Sequence, residues 1–226
     1  MDKIEKFQDL IDSHSEEFER YFESLISFNE KVNLTAITDR EEVYIKHFLD
    51  SILAIDEIPT SASLIDIGAG AGFPSLPIKI VRPDIRLTML DSLNKRINFL
   101  NELCAQLNIE SENVHSRAED FAVKHRERYD IATARAVARL NTLLEYLLPF
   151  VRVGGRVLAY KGSSFKEELN EAERAIETLG GRYVGTLSFD LPKGMGERNI
   201  IIIEKVRTTP DRYPRGQNRP KLDPIR

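Results

Sequence analysis

Residues 64–73 read Leu-Ile-Asp-Ile-Gly-Ala-Gly-Ala-Gly-Phe, and this stretch decides the fold. An apolar run that contains one acid is followed by glycine at every second position, at Gly68, Gly70 and Gly72. A helical pattern opens directly afterwards, near 75–81. A strand, a glycine turn and a helix in this order are typical of a sheet edge that holds a nucleotide-like ligand, because glycine permits a tight turn and a close approach to the backbone. The alternative is a strand-to-loop turn that binds nothing.

The spacing of the glycines distinguishes between kinds of ligand. A dinucleotide-binding turn has the pattern G-x-G-x-x-G. Three positions after Gly70 stands Phe73, so that pattern is not met. The observed form, in which Asp66 precedes the three alternating glycines, resembles the first motif of class I methyltransferases. That resemblance implies S-adenosylmethionine as the cofactor.

Length and composition favour a globular enzyme. The chain has 226 residues, 42% of them hydrophobic, which is enough for a sizeable core. No apolar run approaches the roughly 18 residues that span a bilayer, and the first residues form no apolar signal core. The single cysteine, Cys104, excludes an internal disulfide and lies in a helical pattern, as a buried thiol would. The four histidines show no metal-ligand spacing, so we expect a cytoplasmic protein without a metal.

Charge is distributed unevenly along the chain, although the net charge is only −4. Residues 1–60 carry 6 Lys and Arg against 15 Asp and Glu. Residues 115–166 carry 10 against 5, and residues 193–226 carry 9 against 4. Two basic stretches that converge in space attract phosphates, so the segregation fits a nucleic-acid partner. From these counts alone, ordinary solvated surface is the alternative.

The order of hydrophobic patterns predicts a doubly wound, seven-stranded, mostly parallel sheet. Apolar runs alternate with helical patterns after residue 63, which is typical of a parallel sheet covered on both faces. The last two strands have no helix between them, so one of them should run antiparallel. The predicted helices of the sheet region cover 75–81, 94–107, 139–150 and 164–179. The predicted strands cover 64–68, 86–91, 112–115, 129–134, 155–161, 182–190 and 197–206.

The chain divides into three predicted parts. Residues 1–60 form a helical extension that packs on the core. This extension contains two capping boxes, Ser13-x-x-Glu16 and Thr38-x-x-Glu41, and the second should open a helix that continues to about Ala54. Residues 61–207 contain the sheet. Residues 208–226 form an irregular basic tail that is rich in proline and arginine.

Two further segments support a ligand that contains adenosine. The second strand ends at Asp91, and an acid about 20 residues beyond the glycine turn commonly accepts hydrogen bonds from ribose hydroxyls. Asp91 also suits a helix N-cap, and the two roles are compatible. After the third strand, the backbone of Ala118 and Glu119 is placed to contact the adenine.

The fourth predicted strand leads into two arginines. The run 129–139 contains neither Asn-Pro-Pro-Tyr, which is associated with exocyclic amino groups of bases, nor a cysteine for covalent attack on cytosine. Arg135 and Arg139 can contact phosphate, the cofactor carboxylate, or O6 and N7 of guanine. The alternative is a helix start with two solvated arginines. No general base is evident here, and guanine N7 has a free lone pair, so its methylation requires in-line placement more than acid–base catalysis.

Seven segments together resemble the bacterial small-subunit rRNA guanine-N7 methyltransferases of the glucose-inhibited-division B type, the RsmG family. The runs Lys-His-Phe-Leu-Asp-Ser and Thr-Ala-Arg-Ala-Val-Ala are much more specific than the glycine motif. The resemblance covers nearly the whole chain and implies a class I methyltransferase fold. The matching segments are 33–37, 46–51, 66–74, 91–96, 117–119, 133–138 and 213–215.

This resemblance implies N7 methylation of a guanosine in the 530 loop of 16S rRNA, on the RNA or on an assembling small subunit. No membrane or protein partner is expected. The candidates for the methyl-transfer pocket are Arg135 and Arg139, with no general base. The candidate cofactor contacts are Asp66, Gly68, Gly70, Gly72, Phe73, Asp91, Ala118, Glu119 and Arg135. The candidate RNA contacts are His47, Arg139, Arg198 and Arg215.

Three other functions remain open at this point. A nicotinamide-dependent oxidoreductase can use a similar sheet, although the missing G-x-G-x-x-G argues against it. A non-catalytic RNA-binding protein that kept the fold would not bind the cofactor. A methyltransferase for a small metabolite is the third alternative, and the basic tail disfavours it.

Overall fold

A seven-stranded sheet forms the centre of the computed structural model, which describes residues 3–135 and 138–226. Its order is β3-β2-β1-β4-β5-β7-β6. Strand β7 runs antiparallel to both of its neighbours, and the other pairs are parallel. The predicted mostly parallel sheet is therefore confirmed. The strands are β1 (Ser63–Ile67), β2 (Arg86–Asp91), β3 (Glu112–His115), β4 (Tyr129–Arg135), β5 (Val151–Lys161), β6 (Gly181–Asp190) and β7 (Glu197–Lys205).

Helices precede the sheet, connect its strands and end the tail. The short 3₁₀ turns Ile55–Glu57, Leu148–Phe150 and Pro192–Gly194 lie between them. The sequence pattern does not predict helix α7, whose eight residues bury only Ala118, Phe121 and Ala122. The α-helices are α1 (Lys3–Ser13), α2 (Ser15–Val32), α3 (Arg40–Val43), α4 (Asp50–Ile52), α5 (Ser75–Val81), α6 (Asn94–Leu107), α7 (Ala118–His125), α8 (Leu140–Leu147), α9 (Phe165–Thr178) and α10 (Arg219–Leu222).

The strand order creates a crevice beside β1. The chain proceeds from β1 through β2 to β3 in one direction, and it then returns to place β4 on the other side of β1. Crossover connections leave the sheet in opposite directions at this point, so the carboxyl ends of β1 and β4 have open space between them. The glycine turn that follows β1 lies at this edge.

Two hydrophobic cores cover the two faces of the sheet. One contains side chains of α5 and α6 and nearly all the buried apolar side chains of residues 1–60. The other contains side chains of α7, α8 and α9, together with Tyr213 of the tail. The extension therefore has no separate core, and its burial depends on the same sheet face that supports the glycine turn.

The extension departs from its predicted helices at both capping boxes. Helix α2 begins after His14, which makes no side-chain cap, so the box at Ser13 is not formed. The next helix is capped by Asp39, whose carboxylate accepts from the Glu42 N–H at 3.0 Å, and Thr38 is one residue too early. The single helix predicted to Ala54 is interrupted by a π-helical turn, Tyr44–Leu49. Such turns are frequent at functional sites.

Two segments differ from the remaining expectations. Strand β5 starts at Val151, four residues before its predicted start. The tail, expected to be irregular, contains the short helix α10. Ala136 and Val137, within the run Thr-Ala-Arg-Ala-Val-Ala, lie outside the described residues, as do Met1 and Asp2.

Candidate functional site

A cavity of about 890 Å³ opens at the carboxyl ends of β1, β2 and β4. It brings together eight predicted site residues, which are His47, Gly68, Gly70, Phe73, Asp91, Arg135, Arg139 and Arg198. Five others do not line it, namely Asp66, Gly72, Ala118, Glu119 and Arg215. The site is thus built from the glycine turn, the end of β2, the end of β4 and the π-helical turn of the extension.

The glycine turn is tied to the end of β2. Gly70 has φ +60°, and an added Cβ there would meet only the Gly68 carbonyl oxygen, at 3.8 Å. Its N–H donates to Asp91 Oδ2 at 3.0 Å. The N–H groups of Gly68 and Ala69 donate to the Leu90 carbonyl. The backbone at Gly70 consequently faces open cavity, as a close ligand approach requires.

Asp91 is buried at the cavity wall and joins three parts of the site. Its Oδ1 accepts from the Leu93 N–H at 2.9 Å, while Oδ2 accepts from Gly70 and from Arg96 Nη1, the latter at 3.2 Å. Helix α6 begins after Leu93 without a side-chain cap. Asp91 is therefore not the predicted N-cap of α6. It lies two residues before the cap position, Leu93, and accepts from the N–H of that residue.

Gly72 points away from the cavity. An added Cβ would lie 2.6 Å from the Tyr21 hydroxyl oxygen and 3.2 Å from side-chain atoms of Leu76 and Leu100. Tyr21 donates from that hydroxyl to the Ala71 carbonyl at 2.5 Å and stacks on Phe73. Gly72 thus lies where α2 packs on the turn and does not line the cavity, and its assignment as a cofactor contact stays a prediction. Sequence reasoning missed Tyr21, whose only signal is the helical period of α2.

Asp66 lies beneath the turn and is fully buried. Its Oδ2 accepts from the Ser75 hydroxyl at 2.6 Å, and its Oδ1 has no hydrogen-bond partner among the described residues. Burial raises the pKa of this carboxyl to about 7, against the opposing effect of Ser75. Asp66 is thus placed to support the turn from below.

Arg135, the last residue of β4, is held by the extension. Its Nη1 donates to the Lys46 carbonyl at 3.1 Å and to Asp50 Oδ2 at 2.9 Å, and its Nη2 donates to His47 Nδ1 at 3.0 Å. The guanidinium carbon lies 4.8 Å from the ring centroid of Phe73. Arg135 therefore lines the cavity while most of its donors are occupied by residues 46–50.

The protonation state of His47 follows from this geometry. Nδ1 of His47 lies 3.0 Å from Arg135 Nη2, which can only donate, and 3.2 Å from the Lys46 carbonyl oxygen, which can only accept. The shorter contact favours an unprotonated Nδ1, with the proton of the neutral ring on Nε2, 2.8 Å from Thr35 Oγ1. Burial, reinforced by the charge of Arg135, lowers the pKa of His47 to about 3. His47 is therefore neutral at pH 7.

A buried carboxylate couples the extension to two strands. Asp50 Oδ2 accepts from Arg135 of β4 and lies 3.2 Å from Nε of Arg198 in β7. Its Oδ1 has no partner among the described residues. Asp50 lies within the recognised Lys-His-Phe-Leu-Asp-Ser run, but the pattern gave no indication of its partners.

Arg139 stands at the outer wall and remains half-exposed. It pairs with Glu167 and Glu171 of α9, with nitrogen–oxygen distances of 3.2 and 2.8 Å. Behind it, Lys161 pairs with Glu168 at 2.8 Å, and Glu168 Oε2 accepts from the Leu140 N–H at the start of α8. Arg139 lines the cavity, its role in the methyl-transfer pocket or as an RNA contact stays a prediction, and the sequence did not predict its two acidic partners.

The remaining predicted residues have other surroundings. Ala118 and Glu119 open α7 after β3, and Glu119 lies 3.7 Å from Arg117. Arg215 makes two hydrogen bonds from its guanidinium to the buried carboxylate of Glu145, at 2.8 and 2.9 Å. That pair fixes the tail to α8, and the assignment of Arg215 as an RNA contact stays a prediction.

These groups fit an adenosine-bearing sulfonium cofactor. Asp91 offers buried carboxylate oxygens for hydroxyl donors, and the Gly70 backbone leaves open space above the turn. Asp91 is the buried carboxylate at the cavity wall, and it is balanced by Arg96, whose Nη1 lies 3.2 Å from its Oδ2. In the described part of the chain, no group of three or more His, Cys, Asp and Glu side chains is placed to hold a metal ion.

Comparison with known proteins identifies relatives over nearly the whole length. Residues 14–200 match the GidB family, described as rRNA small subunit methyltransferase G. A protein of that name from Lactococcus lactis subsp. lactis is 49% identical over 225 residues, covering 96% of this chain and 93% of the relative. The protein of that name from Staphylococcus epidermidis is 50% identical over 221 residues, covering 96% and 92%.

Solved structures share the fold at low sequence identity. TYW2 of M. jannaschii in complex with AdoMet has a TM-score of 0.55 at 12% identity, covering 70% of this chain and 77% of that one. An rRNA methylase from Streptococcus thermophilus has a TM-score of 0.51 at 15% identity, covering 70% and 95%. No helix among residues 3–135 and 138–226 is long and apolar enough to cross a bilayer. The chain belongs to the GidB family, the family of rRNA small subunit methyltransferase G, and it is an S-adenosylmethionine-dependent methyltransferase with a class I fold.

Proposed function

We propose that this chain methylates N7 of a guanine in the 530 loop of 16S rRNA, in the cytoplasm, on the RNA or an assembling small subunit. The family name supports small-subunit rRNA as the substrate. The observation that carries the choice of atom is the chemistry of the cavity wall: among its described residues, no side chain is a free general base at neutral pH.

Each titratable group that could accept a proton is weak or occupied. The His47 ring is a poor base because its pKa is about 3. Asp50 is paired with Arg135 and Arg198, and Glu168 is paired with Lys161. Asp91 receives two backbone N–H groups and Arg96. An exocyclic amine must lose a proton when it is methylated, whereas N7 of guanine attacks with its lone pair.

The transfer is balanced without a proton acceptor. When bound, the cofactor supplies an electrophilic methyl group on a positively charged sulfur. The N7 lone pair forms the new N–C bond as the C–S bond breaks, the bonding pair stays on sulfur, and the positive charge moves to the purine. The protein's task is to align the two partners, and alignment can contribute about 7–11 kcal/mol in favourable cases.

The proposed division of labour follows the cavity. Gly68, Gly70 and Asp91 hold the nucleoside part of the cofactor, and Asp66 supports the turn from below. Ala118 and Glu119, at the start of α7 and outside the cavity lining, keep the adenine contact that the family resemblance implies. Arg135 fixes the Phe73 ring and His47, so it positions the wall between cofactor and base. Arg139 contacts RNA at the outer rim. In the whole chain, residues 1–60 shape the pocket, residues 61–207 bind the cofactor, and residues 208–226 take part in RNA binding.

The test is methylation of 16S rRNA that lacks this modification. The purified chain is incubated with S-adenosylmethionine and the RNA or the small subunit, and 7-methylguanosine is located by chain cleavage at that base. We expect one new site, in the 530 loop. A methyl group on another atom of guanine, or in another region, would contradict the proposal. Asp91→Ala, with impaired cofactor binding, is the negative control.

A further inference from the structure

A second groove continues from the methyl-transfer cavity toward the tail. It has a volume of about 800 Å³ and lies between α8, α9 and residues 221–226. It shares Ala138 and Arg139 with the first cavity. A smaller depression of about 330 Å³ shares Pro224 and Arg226 with it and extends to residues 212–215. We call the two together the tail groove.

The tail groove is strongly basic in a chain of net charge −4. Among its described lining residues are six cations and only two carboxylates. Both carboxylates are neutralised, because Glu171 pairs with Arg139 at 2.8 Å and Asp223 lies 3.5 Å from Arg215. The other four cations are exposed and have no ion pair within the described residues: Arg174, Arg212, Lys221 and Arg226.

The groove is held in shape by buried contacts of the tail. The Thr142 hydroxyl donates to the Pro220 carbonyl at 3.0 Å, and Arg215 binds Glu145. The Tyr213 ring is buried in the core under α8, and its carbonyl accepts from Arg126. The tail therefore presents its cations from a fixed backbone. It also presents Leu222, whose side chain is 78% exposed beside Lys221.

We propose that the tail groove binds single-stranded RNA flanking the target nucleotide, with Lys221 and Arg226 contacting phosphates nearest the methyl-transfer cavity. Unpaired cations along a groove match the phosphate backbone of a single strand. Continuity through Arg139 places one end of the strand at the reacting base. This inference rests on the proposed function, because it needs an RNA substrate.

The test compares two pairs of charge removals. Lys221→Gln with Arg226→Gln removes two groove cations. The control, Arg86→Gln with Arg128→Gln, removes two exposed cations at the opposite edge, where β2 and β4 begin. Affinity for an RNA fragment that contains the 530 loop is measured from low to moderate salt. For two phosphate contacts we expect the log–log slope of affinity against salt to fall by about 1.4 in the groove variant. The control should keep the parent slope.

Methylation and cofactor binding separate the groove from the pocket. The groove variant should raise KM for RNA about tenfold, with kcat and S-adenosylmethionine affinity unchanged. Lys221→Arg with Arg226→Lys, which preserves charge, should restore both slope and KM. Arg174→Gln with Arg212→Gln should weaken binding only of RNA long enough to reach the outer depression.

A groove variant with the parent's slope and KM would overturn the inference. That includes the case in which the groove serves an acidic protein segment instead. A different result would overturn the proposed function and leave the groove assignment standing. In that result the groove variant shows the expected fall in slope relative to the parent, but the parent methylates no guanine N7.

Discussion

Arg135 donates at once to a carbonyl, a carboxylate and an imidazole, all from residues 46–50. A guanidinium has five N–H donors in a fixed plane, so these three partners set its orientation. The same plane covers the Phe73 ring. At the residue scale, therefore, the arginine expected to touch the substrate is first a positioning group for the cavity wall.

Replacement of Asp91 separates its ligand role from its structural one. Asp91→Ala removes the acceptor proposed for the ribose hydroxyls, so S-adenosylmethionine affinity should fall by about 1.5–3 kcal/mol, the range for hydrogen bonds to charged groups. Calorimetry measures this loss. The control, Arg96→Gln, removes one partner of the carboxylate and keeps its oxygens. If both variants lose the same affinity, the carboxylate acts only by holding the turn.

The Asp66 carboxyl should make stability depend on pH. Its pKa is raised from 3.8 to about 7 in the folded chain, so between these values the folded state binds the proton more tightly than the unfolded state. Its contribution to the free energy of unfolding therefore falls as pH rises from about 4 to 7, by up to about 1.4 kcal/mol per pH unit, and is constant above that. Asp66→Asn lacks this term.

Urea unfolding of the parent and of Asp66→Asn at a series of pH values measures the difference. The variant should gain stability relative to the parent as pH rises toward 7. A difference that does not change between pH 5 and pH 7 would show that Asp66 titrates at its ordinary pKa.

Helix α2 acts as a support for the glycine turn. Tyr21 is wholly buried, donates to the Ala71 carbonyl and occupies the space that a side chain at position 72 would need. A rigid turn keeps the cofactor's binding groups in place before binding. At the element scale, a helix from the extension thus contributes to a motif whose glycines alone suggested a ligand site.

A double-mutant cycle tests this contact between α2 and the turn. Gly72→Ala should destabilise the fold, because φ is +95° and the new Cβ would lie 2.6 Å from the Tyr21 hydroxyl oxygen. Tyr21→Phe removes that oxygen, so Gly72→Ala should be less costly in the Tyr21→Phe background. We expect a coupling of about 0.5–3 kcal/mol in urea unfolding. Additive effects of the two substitutions would show that the hydroxyl does not limit space at position 72.

Local sequence patterns predicted which segments form helices and strands better than they predicted where each helix begins and ends. Apolar runs that alternate with helical patterns predicted the location of every strand that the structure describes. Buried parallel strands need such continuous apolar residues. The capping boxes at Ser13 and Thr38 failed, since a serine or threonine three positions before a glutamate is necessary for the motif and does not ensure it. The π-helical turn had no local signal; its residues 46–50 contact Arg135 of β4, and His47 stacks on Phe73 of the glycine turn.

Ion pairs at two contrasting places join the extension to strands of the sheet, one at Asp50 and one at Glu57. Asp50 with Arg135 and Arg198 is buried at the cavity, whereas Glu57 pairs with Arg156 at 2.9 Å near the surface. Removing one partner of a buried pair leaves an uncompensated charge, and removing a partner of an exposed pair leaves a solvated one. The two pairs should therefore differ greatly in their contribution to stability.

Asp50→Ala should lower the free energy of unfolding by about 3–5 kcal/mol, because two cations lose their carboxylate. Glu57→Ala, the matched control, should cost less than about 1 kcal/mol. Urea unfolding measures both. Equal effects from the two substitutions would mean that solvent reaches Asp50 and that the extension is not held by this charge cluster.

The sequence by itself determined the strand, glycine turn and helix over 64–81, the mostly parallel character of the sheet, and the family, because these depend on periodicity and on short motifs. The order of the strands in the sheet came only from the tertiary structure. The tertiary structure decided how the motif residues are used. Arg135 meets Asp50 across 85 positions of the chain, Tyr21 meets Ala71 across 50, and Arg215 meets Glu145 across 70. Which charges are paired and which remain unpaired among the described residues is decided by contacts between residues far apart in the chain, and no local pattern records a partner at that distance.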